Sequence, residues 1–180
     1  LHAARAPGNT CISALEDGAP VEDSKGCGGV MRIAPVGLVA EEPFDLGCEL
    51  AGLTHGHPTG RLAAGALAEI IHRLLDGASL QEAADEALAK VERAPDHQET
   101  SAALRAALAM ARRGTPTSER LETLGGGWVA EEALAIGLCC ALVAKDFRHG
   151  VLLAVNHSGD SDSTGSIAGN ILGLIHGEEG

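Results

Sequence analysis

The stretch Ala133 to Ala144, reading ALAIGLCCALVA, carries no charged side chain. It is too short to cross a bilayer, so it predicts a helix that other helices must cover on most sides. A chain built around such an element needs a bundle to surround it. Aromatic residues amount to 2%, with one Trp, two Phe and no Tyr, while alanine recurs throughout. That composition argues against a β-sandwich or barrel and for helices packed closely through small side chains. The expected fold class is all-α.

Flanking segments supply the surrounding helices. From Pro58, apolar residues recur at three- and four-residue steps through Leu62, Ala66, Leu67, Ile70 and Leu74, with Gly77 as a stop. Ser79 and Glu82 form a capping box ahead of Leu80, Ala84, Ala87, Leu88 and Val91. Asp96 to Arg113 repeats the arrangement and ends at Gly114. Phe147 to Val155 and a segment with Ile167, Ile171, Leu172 and Ile175 complete the set. Residues 1 to 44 carry turn signals, Pro7-Gly8-Asn9 and Asp17-Gly18-Ala19-Pro20, and predict an irregular entry. No repeat or low-complexity linker interrupts the 180 residues, so one domain spanning 1–180 is expected.

The formal net charge is −12. Nucleic-acid binding through a basic surface is therefore not expected, because phosphate neutralisation needs clustered Lys and Arg. Five cysteines without a C-x-x-C spacing indicate neither a disulfide framework nor a zinc ribbon, and a reducing cytoplasm fits them. No apolar stretch reaches bilayer length, so no membrane partner is expected. Leu1 stands where an initiator Met would, which suggests a processed product or a fragment.

The sharpest chemical feature is Asn156-His157-Ser158-Gly159-Asp160-Ser161-Asp162-Ser163-Thr164-Gly165, two carboxylates and several hydroxyls ahead of an apolar helix. Hard oxygen donors of this kind suit Mg²⁺, Mn²⁺ or Ca²⁺ rather than zinc. The same residues also suit a simple helix N-cap, and spacing alone leaves both readings open. An EF-hand is excluded, since loop position twelve is Ile171 where a bidentate Glu is needed.

Gly26-Cys27-Gly28-Gly29-Val30-Met31-Arg32 is a glycine-rich loop whose backbone N–H groups can cradle phosphate, with Arg32 as a fixed cation; a tight turn with a surface Arg is the alternative. Thr54-His55-Gly56-His57-Pro58 places two imidazoles before a helix, where an anion or a sugar hydroxyl can be held. Gly125-Gly126-Gly127-Trp128 sets the only Trp beside three glycines, either to stack on a flat ring or to fill the core.

Taken in order, these segments resemble the ADP-ribosylglycohydrolase family, which includes dinitrogenase reductase activating glycohydrolases and ADP-ribosyl-arginine hydrolases. The resemblance runs through Arg5 to Thr10, Ser24 to Arg32 with Ala34-Pro35, Thr54-His55, Gly125 to Glu132 and Ala154 to Gly169. It implies a compact orthogonal helical bundle that uses two Mg²⁺ or Mn²⁺ ions to cleave the N- or O-glycosidic bond between ADP-ribose and an acceptor. An ADP-ribosylated protein or a small ADP-ribosyl compound would be the substrate. Asp160, Asp162 and Ser163 would be metal ligands. Gly26, Cys27, Gly28, Gly29, Met31 and Arg32 would follow the phosphates and ribose, His55 would touch a ribose, Trp128 would sit near the adenine, and Gly127 would contact the substrate.

One departure from the family pattern bears on activity. The Thr-Asp-Asp motif that supplies the remaining ligands and acidic groups in the family does not occur here. The resemblance therefore implies two cations in the intact protein but one or none in this chain, little hydrolysis by it alone, and apolar surface free for self-association. A catalytically inactive ADP-ribose-binding or structural member is the competing reading, and a plain helical interaction module is a third.

Overall fold

The computed structural model describes residues 8–177. Arg5, Ala6 and Pro7, which open the first matched segment and the first expected turn, lie outside the described residues. Among the described residues ten α-helices follow one another: α1 Asn9–Asp17, α2 Ala34–Val39, α3 Pro43–Gly52, α4 Pro58–Leu75, α5 Leu80–Val91, α6 Gln98–Ala111, α7 Ser118–Leu121, α8 Ala130–Leu142, α9 Phe147–Val155 and α10 Ser161–His176. Among the described residues the only β-pairings are two isolated bridges, Val21 with His55 and Gly26 with Val129. The fold is all-α, as the composition predicts.

Most of the charge-free segment, residues 133–142, lies in α8, at the centre of the bundle. Leu134, Ile136, Leu138, Cys139 and Cys140 are fully enclosed, because α6, α9, α10 and α4 pack around it. Burying each large side chain of that set contributes roughly 1.5 to 3 kcal/mol. Close approach of α10 depends on Gly137, where a Cβ would sit 2.6 Å from Ile167 Cγ2. The second central helix is α4, covered by α2, α3 and α5 on the faces that α8 and α10 leave open.

Local signals set the helix ends as the sequence indicates. His57 Nδ1 accepts from the Thr59 N–H at the start of α4, and Gly77 closes the segment at φ 89°. The Ser79–Glu82 capping box forms in both directions. The entry is the part the sequence reading underestimates: residues 9–17 and 34–39 are helical, and α3 starts before residue 44. Pro35 and Pro43 stand in the first turns of α2 and α3, where a missing N–H costs nothing, so these prolines start helices rather than break them. Among the described residues no helix is long and apolar enough to cross a membrane. Leu15, Val39 and Leu53 are among the large apolar side chains exposed on the surface.

Candidate active site at the junction of two turns

Three segments distant in sequence meet at one end of α8 and α10. The root of the glycine-rich loop pairs with the Trp128 segment: Ala130 N–H donates to Lys25 O at 2.8 Å and Cys27 N–H donates to Trp128 O at 3.1 Å. The Trp128 segment in turn meets the acidic turn, since Asp160 N–H donates to Gly126 O at 2.8 Å. A side-chain contact closes the triangle, with the Cys27 thiol donating to Asp160 Oδ2 at 2.9 Å.

The loop root is held electrostatically. Lys25 Nζ lies 2.7 Å from both Glu131 Oε1 and Glu99 Oε2, and Glu99 also accepts from the Thr59 hydroxyl. One ammonium thereby joins the loop to the first turn of α8 and to α6, with α4 tied in through Thr59. Hydrogen bonding from Lys25 and Thr59 holds the Glu99 carboxyl below its usual range. The sequence reading passed over Lys25, which stands inside the motif Ser24 to Arg32 without a local partner.

The glycines have a packing cause as well as a binding one. His55 is 1% exposed, and its ring lies directly beneath the loop. A Cβ on Gly28 would sit 3.3 Å from His55 Cε1. The structure thus places His55 as the floor of the loop, so any influence on a ligand passes through the loop it supports. His57 caps α4 rather than standing free. Burial, aided by the charge of Arg32, pushes the His55 imidazole down to about 4. His55 Nδ1 lies 2.7 Å from Thr54 Oγ1, which also accepts from Arg32 Nη2 at 2.7 Å. Arg32 remains exposed beside the loop and lies 3.3 Å from Cys11 Sγ through Nη1.

In the acidic turn, Asp160 occupies the N-cap position of α10, yet its side chain makes no capping hydrogen bond. It is 6% exposed and turns toward Cys27, so helix capping is not its main contact. Burial opposes its ionisation, but hydrogen bonds from Asp162, Cys27 and Ser163 outweigh that and hold its carboxyl below the ordinary value. Asp162 is displaced the other way, chiefly by its contact with Asp160. Two neighbouring carboxyls resist joint ionisation unless a cation lies between them. The Ser163 hydroxyl is 3.3 Å from both Cys27 Sγ and Met31 Sδ, which brings Met31 into the same cluster. The Cys27 thiol is pushed up to about 11 by burial and by the Asp160 carboxylate.

Trp128 is 65% exposed. The core role is therefore excluded, and the indole lies on the surface beside the loop root. The residues singled out from sequence fall into one region: Cys27, Met31, Asp160 and Ser163 touch directly, Asp162 adjoins them, Gly127 and Trp128 border them, and His55 lies below with Arg32 to one side. Among the described residues no three His, Cys, Asp or Glu side chains are grouped so as to hold a metal ion alone. Two carboxylates and a hydroxyl still fit a hard divalent cation, since Mg²⁺ keeps several waters and is usually held by only one or two carboxylates.

Glu132 is a further residue of the site. Its Oε2 accepts the Gly126 and Gly127 N–H groups at 2.9 and 3.1 Å. The signal available in the sequence was its place as third residue of α8, where an acid commonly reaches back to backbone donors ahead of the helix.

No curated protein matches this chain. The family comparison is decisive by contrast: the ADP-ribosylglycohydrolase model matches residues 2–180, nearly the full length, and the chain belongs to that family.

Proposed function

We propose that the junction binds an ADP-ribosyl group and serves hydrolysis of its glycosidic bond, the acceptor being a protein side chain or a small molecule. The observation that carries this reading is the contact of the glycine-rich loop with the acidic turn through Cys27 and Asp160. It brings a phosphate-compatible backbone within reach of cation-compatible oxygens. Asp160, Asp162 and Ser163 would hold Mg²⁺ or Mn²⁺, which would supply a water of lowered pKa when bound. The loop presents N–H groups for phosphate, Arg32 adds positive charge, and Trp128 offers a flat apolar surface.

A second reading, an ADP-ribose binder without turnover, is favoured by the small donor set. Two carboxylates and one hydroxyl supply few of the ligands that two cations require.

Hydrolysis of ADP-ribosyl-arginine with Mn²⁺, compared among wild type, Asp160→Asn and Asp162→Asn, tests the proposal. Turnover that falls by at least about a hundredfold in both variants supports the hydrolase. Undiminished turnover in both contradicts it, and the second reading predicts ADP-ribose binding without wild-type turnover.

A further inference from the structure

The carboxylate of Glu132 stands at the crossing of the two turns that shape the site. It gathers the Gly126 and Gly127 N–H groups on one oxygen. The carbonyl of that same Gly126 accepts the Asp160 N–H at 2.8 Å. The two turns touch backbone to backbone, since a Cβ on Gly159 would run into the Gly126 carbonyl; within the first turn, a Cβ on Gly126 would sit 2.9 Å from Trp128 Cδ1. Gly125, at φ 122°, leaves the space through which the Glu132 side chain passes. From the other side, Gly159 N–H donates to His157 Nδ1 and His157 Nε2 lies 2.9 Å from Thr164 Oγ1. The acidic turn is thus pinned to α10 independently, and beside the side-chain contact through Cys27 its direct backbone link to the Trp128 segment is the hydrogen bond from Asp160 to Gly126.

We propose that Glu132 is a positioning residue that sets the Trp128 surface and the Asp160 turn in one fixed relation, so that removing its carboxylate loosens both together. The physical basis is polarisation along a chain of hydrogen bonds. The Gly127 N–H and the Gly126 carbonyl belong to one planar peptide unit, so a carboxylate that fixes the first aims the second, which holds Asp160. The consequence for ligand binding rests on the ADP-ribosyl reading above; the coupling between the turns does not.

Amide hydrogen exchange of Gly126, Gly127 and Asp160 in wild type, Glu132→Gln and Glu132→Ala tests the coupling, with Leu67 in the core of α4 as reference. Asp160 exchange should accelerate at least about tenfold in Glu132→Ala while Leu67 changes little. Glu132→Gln, which keeps an oxygen in place, should fall between, and it carries the test should the alanine variant fail to fold. Unchanged protection of Asp160 once Gly126 and Gly127 have lost theirs overturns the proposal. Equal acceleration at Leu67 also overturns it, because that reports global destabilisation. ADP-ribose affinity should weaken about tenfold in Glu132→Gln. A wild type that binds no ADP-ribose contradicts the functional reading alone, and the exchange pattern still decides the coupling.

Discussion

The Cys27 thiol donates to Asp160 Oδ2 at 2.9 Å, joining side chains 133 residues apart in the chain. This contact makes the glycine-rich loop and the acidic turn one site, and it occupies an oxygen that a cation would need.

Calorimetric titration with Mn²⁺ should therefore lose its signal in Asp160→Ala and in Asp162→Ala. Cys27→Ala should bind at least as tightly as wild type, because no thiol then competes for Oδ2. Loss of a hydrogen-bonded group at this turn costs about 1 kcal/mol, so the aspartate variants should remain folded. Unchanged affinity in both would leave the segment as the start of a helix and nothing more.

Lys25→Met should destabilise the protein by about 2 kcal/mol in chemical denaturation, since it strands the buried carboxylate of Glu131, which is 8% exposed. The double variant Lys25→Met/Glu131→Met should recover much of that loss, as no unpaired charge remains. If the double variant is less stable than wild type by the sum of the two single losses, the two side chains are not coupled.

Stability should depend on pH through His55. An unfolded imidazole titrates near 6.5, whereas the folded one titrates near 4. Between those values the unfolded chain binds more protons, so this contribution is complete above pH 6.5 and is lost as the pH falls toward 4. The loss is on the order of a few kcal/mol. Denaturation at pH 7 and pH 5 should show a smaller difference for His55→Asn than for wild type; equal differences would mean that His55 titrates normally.

The central helices were legible because their signals are local. A capping box needs only Ser79 and Glu82, and the burial of α8 follows from twelve residues without a charge. The short helices α1 to α3 were not legible, since six to ten residues hold too little apolar period to outweigh neighbouring Gly and Pro. For the site, the acidic turn and the glycine-rich loop could each be read as strings. What joins them could not. Lys25 reaches Glu99 across 74 residues, and His55 gives no local sign that it lies beneath the loop rather than facing a ligand.

The central claim is that the loop, Trp128 and the acidic turn form one ADP-ribose site. Trp128 is the only tryptophan and lies at that junction, 65% exposed. Titration with ADP-ribose, monitored by tryptophan fluorescence and in parallel by calorimetry, tests the claim most directly. The account predicts a saturable fluorescence change with the calorimetric Kd, abolished when Asp160 and Arg32 are both replaced by alanine. Calorimetric binding that saturates while the fluorescence stays constant would place the ligand elsewhere and contradict the account.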